Sequence, residues 1–124
     1  MDIVHFGSDD IDNPLAVDPS RIDRLPFGAM LLDPQGRIMR YSKVESTFSG
    51  RDPEEVIGKN FFDDVAPCSK GQIVYHKFFQ AIADGSVNLL LDYKFDYGID
   101  HVEVRLHLKS QDTSKGVWMF IKRV

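Results

Sequence analysis

The spacing of hydrophobic and polar residues changes character several times along the chain. Gly28-Ala29-Met30-Leu31-Leu32 is a short apolar run, followed at once by Asp33-Pro34-Gln35-Gly36. Asp first, Pro second and Gly fourth predict a type I turn, so Arg37–Tyr41 returns as the partner strand of a hairpin. Further on, Tyr75, Phe78, Phe79 and Ile82 fall at i, i+3, i+4 and i+7 and predict an amphipathic helix ending at Gly85. The pattern then alternates. Leu89, Leu91, Tyr93, Phe95 and Tyr97 share one face, with Asp92, Lys94 and Asp96 on the other. Val102, Val104, Leu106 and Leu108 oppose Glu103, Arg105, His107 and Lys109 in the same way. This predicts an antiparallel sheet with one wetter face. A final strand covers Val117–Val124, reached through the turn-rich stretch Gln111–Gly116.

Residues 42–67 follow neither period and read as short helices and turns. Asp52-Pro53-Glu54-Glu55 supplies an N-cap, a proline at the first helical position and an acid at the third. Gly58 falls where a C′ glycine belongs. A helix of little more than one turn must be held by packing. Residues 1–26, with Asp9, Asp10, Asp12, Pro14, Asp18, Pro19 and Ser20, read as an N-terminal cap of short turns and loop, and residues 27–124 as the core of a single domain. The fold class is therefore α+β: a five-stranded antiparallel sheet covered on one side by helices and a loop, with the N-terminal cap. This order resembles that of PAS-type sensor domains, which hold a small ligand between sheet and helical segment.

Composition narrows the function. The chain has 124 residues, 43% hydrophobic and 27% charged, as expected of one soluble globular domain. No apolar run is long enough to cross a bilayer, and Met1–Phe6 lacks the basic start and apolar stretch of a signal peptide. The expectation is a cytoplasmic monomer without membrane contact. A net charge of −4 and the absence of clustered Lys and Arg argue against nucleic acid. His5, His76, His101 and His107 have no metal-ligand spacing, and no phosphate-binding glycine motif is present. Nothing here marks an enzyme. Cys68 as a nucleophile needs an imidazole within reach, and no neighbouring histidine offers one; His107, on the charged face of its strand, reads as a surface or satisfied residue.

Cys68 is the only cysteine, so it forms no internal disulfide and no cysteine metal site. It is either a small buried hydrophobe or a point of covalent attachment, and composition alone favours the first. Tyr41, Glu45 and Ser49 are spaced by four. If the chain turns helical after Tyr41, they share a face, and a phenol, a carboxylic acid and a hydroxyl suit an anionic oxygen. A solvated helix edge beside one buried tyrosine explains the same spacing. Arg51 reads as a screen over such a pocket or as plain surface charge. Phe61, Phe62, Phe95 and Tyr97 supply aromatic walls for a flat ligand, or a small core.

The segments Gly50-Arg51-Asp52-Pro53, Gly58-Lys59-Asn60-Phe61-Phe62 and Val65-Ala66-Pro67-Cys68 resemble the photoactive yellow protein family. So do His5-Phe6-Gly7-Ser8, Phe27-Gly28-Ala29, Phe95-Asp96-Tyr97 and the ending Trp118–Val124. The likeness runs nearly end to end, and its Pro-Cys segment is its most specific part. It implies a blue-light receptor with a PAS fold and 4-hydroxycinnamic (p-coumaric) acid joined to Cys68 as a thioester. It implies that Tyr41 and Glu45 hydrogen-bond the chromophore phenolate, that Ser49 supports Tyr41 and that Arg51 covers the ring. Phe61, Phe62, Val65, Ala66, Pro67, Phe95 and Tyr97 would complete the binding site, and an unidentified downstream protein would receive the signal. Two positions depart from the family pattern: Ser49 stands where threonine is common, and Ile99 near a methionine that assists dark recovery in some members. A branched hydrocarbon lacks the polarisable sulfur, so slower recovery is expected.

Overall fold

A computed structural model describes residues 19–65, 73–97 and 100–123, with 19–20, 95–97 and 100–102 described as backbone only. Residues 1–18, Ala66, Pro67, Cys68 and Ile99 lie outside the described residues.

A 3₁₀ turn, Pro19–Arg24, precedes the hairpin β1 (Gly28–Leu32) and β2 (Ile38–Tyr41). Asp33 builds the connecting turn: its carbonyl accepts from the Gly36 N–H at 2.9 Å, and its Oδ1 accepts from the N–H groups of Gln35 and Arg37, both at 2.9 Å. Gly36 has φ 89°, and a β-carbon there would press on the Phe62 ring, so glycine is required twice over. Two short helices follow, α1 (Lys43–Ser49) and α2 (Pro53–Val56), then a π-helical turn, Phe61–Val65. Asp52 caps α2 by accepting from the Glu54 N–H at 2.9 Å, with Pro53 in the first turn. The long helix α3 runs Ile73–Asp84 and ends at Gly85, whose φ of 87° closes it. Strands β3 (Val87–Tyr97), β4 (Asp100–Ser110) and β5 (Val117–Arg123) complete the chain.

The sheet is antiparallel in the order β2-β1-β5-β4-β3. First and last strands meet at its centre, so β5 is buried along Val117–Ile121. On one face lies the main core, including Met30, Leu32, Ile38, Leu106, Leu108, Val117 and Met119 packed with Phe61, Phe62, Val74 and Phe78. The buried stripe of α3 is Val74–Phe78–Ala81, flanked by the half-buried Tyr75, Phe79 and Ile82. The expected apolar face is thus present but rotated by part of a turn.

The opposite face corrects the sequence reading. It is not simply wet. Ile22 and Leu25 pack with Phe27, Ala29, Trp118 and Phe120 in a second cluster, so the middle of the sheet is covered on both sides. His107, assigned by alternation to the charged face, is fully buried; its Nε2 lies 2.6 Å from Asn88 Oδ1 and its ring 6.0 Å from that of Phe120. Lys109 is also buried. The wetter face survives farther out, where Asp92, Lys94, Glu103 and Arg105 are exposed.

Candidate functional site

β2 passes into α1 through a single residue. Ser42 Oγ accepts from the Glu45 N–H at 3.2 Å and from the Ala29 N–H at 3.0 Å, while the Ser42 N–H donates to the Ala29 carbonyl at 2.9 Å. One hydroxyl therefore caps α1 and ties it to β1. Gly50, at φ 74°, ends the helix by donating its N–H to the Ser46 carbonyl at 2.9 Å. These two ends fix where Tyr41, Glu45 and Ser49 point.

Tyr41, at the end of β2, is buried, and its Oη forms a 2.7 Å hydrogen bond with Ser49 Oγ. Ser49 Oγ also accepts from the Arg51 N–H at 3.2 Å. The two hydroxyls predicted to share a face are in direct contact.

Glu45 occupies the third position of α1, where an acid commonly reaches back to the cap N–H. Here that N–H is engaged by Ala29, and the Glu45 side chain is 5% exposed and lies against Gly28. A β-carbon at Gly28 would collide with Glu45 Oε2. Burial raises the Glu45 pKa to about 7, against the pull of the Arg123 guanidinium, which favours the ionised form. Among the described residues no hydrogen bond reaches the carboxyl. A nearly buried acid with a pKa raised to about 7, and with no hydrogen bond to its carboxyl among the described residues, is suited to donate to a ligand oxygen.

Arg51 is exposed; its Nη2 donates to the Val65 carbonyl at 3.1 Å, and its own carbonyl accepts from Ser46 Oγ at 2.5 Å. It therefore joins the α1–α2 link to Val65, at the end of the π turn. Phe61 and Phe62 are core residues. Phe62 is the hub of an aromatic cluster, with ring centroids 5.2 Å from Tyr75 and Phe78 and 5.7 Å from Phe79. Val65 is half-buried against that core. The backbone of Phe95 pairs with Val102, and that of Tyr97 with Asp100. Cys68, Ala66 and Pro67 lie outside the described residues.

Four contributors escaped the sequence reading. Ser42 had a local signal, since Ser three residues before Glu is a capping pattern. Asn60 had less. Its Oδ1 accepts from the N–H groups of Phe62 and Asp63 at 3.0 and 3.1 Å, and its Nδ2 donates to the Gln35 carbonyl at 2.8 Å, pinning the π turn to the hairpin. Gly28 and Arg123 had none, because both meet α1 through contacts between segments distant in the sequence. A separate groove of about 350 Å³ is lined by Asp92, Tyr93, Lys94, Glu103, Val104 and Arg105, and shares no residue with Tyr41, Glu45 and Ser49.

The PAS-fold family model matches residues 19–124. The chain is 49% identical to the photoactive yellow protein of Rhodobacter capsulatus over 99% of each chain. It is 47% identical to that of Cereibacter sphaeroides over the full length of both. Among solved structures, the photoactive yellow protein domain from the sensor histidine kinase Ppr of Rhodospirillum centenum superposes with a TM-score of 0.75 at 35% identity, covering 83% of this chain and 90% of that domain. With its five-stranded PAS sheet and full-length likeness to these relatives, the chain belongs to the photoactive yellow protein family.

Proposed function

We propose that this PAS photoreceptor works with 4-hydroxycinnamic (p-coumaric) acid held as a thioester on Cys68, and that proton movement at Glu45 drives its signalling change. The observation that supports this most is the buried Glu45 carboxyl, with a pKa near 7, one helix turn from the Tyr41–Ser49 hydroxyl pair. When bound, the acid supplies light absorption and photoisomerisation.

Everything else falls to the chain's own residues. Tyr41 Oη and the protonated Glu45 carboxyl are the donors for a phenolate oxygen. Holding a phenol-class group, of pKa roughly 10, ionised at neutral pH needs about 4 kcal/mol from its surroundings. Burial works against this, so the two donors must more than offset it, as hydrogen bonds to an ionised acceptor do. Ser49 fixes the Tyr41 hydroxyl. Arg51, held on the Val65 carbonyl, screens the site from water. Phe61, Phe62, Val65, Ala66, Pro67, Phe95 and Tyr97 wall it.

Glu45 keeps its proton in the dark and, after light, passes it to the phenolate oxygen to which it had been donating. A carboxylate left in so buried a position costs several kcal/mol. That cost drives loosening of the N-terminal cap, residues 1–26, the segment least suited by composition to firm packing. The output is relayed to another protein without catalysis by this chain. The relative from Rhodospirillum centenum, part of a sensor histidine kinase, accords with such a relay.

Incubating the chain with an activated p-coumaric ester tests this. Wild type should gain the mass of one hydroxycinnamoyl group under denaturing conditions and turn yellow, while Cys68→Ala should gain neither. An unchanged wild-type mass rejects the thioester and leaves a PAS-type small-ligand-binding or protein-interaction module without covalent chromophore as the reading.

A further inference from the structure

α1 ends without a basic residue in its last turn. The carbonyls there lack intrahelical partners and carry the negative end of the helix dipole. The missing cation comes from the far end of the chain. Arg123 Nη2 donates to the Phe48 carbonyl at 2.9 Å across 75 residues of sequence, and the guanidinium carbon sits 4.3 Å from the centre of the Phe48 ring. A helix of seven residues has little stability of its own, so a contact at its end helps to decide where its side chains lie. Glu45 is three residues before Phe48.

We infer that Arg123 is a positioning residue for Glu45, holding the last turn of α1 and setting how readily the Glu45 carboxyl gives up its proton. This rests on the proposed role of Glu45 as the group that holds and releases a proton. While Glu45 is protonated, the guanidinium only anchors the helix. Once the carboxyl ionises, the same charge attracts it and limits the cost of the buried anion. The other groups around α1 are placed differently. Gly28 of β1 meets Glu45 without charge, and β2 contributes the Tyr41 hydroxyl. Asp23 accepts from the Lys43 N–H at 3.0 Å, at the opposite end of the helix, in a turn that also carries Arg21 and Arg24. The Arg51 guanidinium is engaged by Val65. Arg123 is the cation whose attraction opposes burial at Glu45.

The test is the titration of the Glu45 side-chain carboxyl carbon by NMR, in the full chain before and after loading with p-coumaric ester. Arg123→Gln should move the midpoint upward, and Arg123→Lys, which keeps the charge, should stay closer to wild type. An exposed cation is screened by salt, so the wild-type midpoint should also rise between about 0.02 M and about 0.5 M ionic strength. An Arg123→Gln midpoint equal to wild type overturns the inference. If that variant does not fold, a wild-type midpoint indifferent to salt overturns it instead. The unloaded chain reports whether or not chromophore is taken up, so failure of the photoreceptor reading and failure of the Arg123 role are distinguishable.

Discussion

At the scale of single residues, the site depends on what lies beside Glu45 as much as on Glu45. Gly28 leaves the space that its carboxyl fills. Gly28 does not have a positive φ, so alanine is acceptable to the backbone and its effect is steric. Gly28→Ala should force the carboxyl out of place and cost about 1–3 kcal/mol, the usual range for overpacking a filled site. Urea unfolding gives the cost, and the Glu45 titration midpoint should fall toward the ordinary carboxylate range as the side chain meets water. A variant as stable as wild type with an unmoved midpoint would contradict the contact. The shared face of Glu45 and Ser49 was legible because four residues of helix align side chains, while Tyr41 joins them from the end of β2. The partnership of Tyr41 with Ser49 was suggested only by the family likeness, and that of Glu45 with Gly28 was not legible at all.

At the scale of elements, α1 and the π turn are too short to be stable alone, and side chains from elsewhere hold them. Ser42 performs two tasks with one oxygen. Ser42→Ala removes the cap and the tie to the Ala29 N–H, and should cost about 1–3 kcal/mol, since a buried donor loses its acceptor as well. Loss of less than half a kcal/mol in denaturant unfolding would mean that α1 is held by its other contacts. Phe62 anchors the second short element against α3. Phe62→Ala should cost about 3–5 kcal/mol, and because Gly36 packs on the same ring, the hairpin turn should loosen with it. Exchange of the Gly36 and Phe61 amides, which close the turn and join it to the π segment, is the measurement that separates this from a uniform loss. Short helices and turns were expected over residues 42–67, but the caps read there, Asp52 and Gly58, belong to α2. The anchors of the π turn, Asn60 and the Phe62 cluster, were not expected, because a π turn has no local periodicity to read.

For the whole molecule, the raised pKa of Glu45 makes stability depend on pH in an unusual direction. Its value of about 7 in the folded chain lies above the ordinary 4.5 of the unfolded one. Between these values the folded state binds more protons, so stability falls as pH rises. Below pH 4.5 the acid is neutral in both states and nothing is lost; above pH 7 the full cost, about 3 kcal/mol, is present. Unfolding of the chromophore-free chain across this window should show the decline, and Glu45→Gln should flatten it. An equal slope in Glu45→Gln would place the titration elsewhere. In the loaded protein, the same substitution should preserve the yellow colour while shifting the absorbance and weakening the light-driven change.

Sequence alone determined the local features of this protein: the Asp33–Gly36 turn, the Asp52 cap, the existence of an amphipathic α3 and the alternation over Val87–Lys94 and Glu103–Leu106, because each rests on neighbours within about one turn or one pleat. It also placed the chain near its family through the Pro67-Cys68 segment. Only the tertiary structure decided that β5 lies between β1 and β4, that a second core covers the back of the sheet, and that His107 is therefore buried. It likewise brought Arg123 to the end of α1 and Gly28 beneath Glu45. The physical reason is the same in each case. Burial and electrostatic environment are set by groups far away in the chain, and no local period encodes which strand will lie beside which.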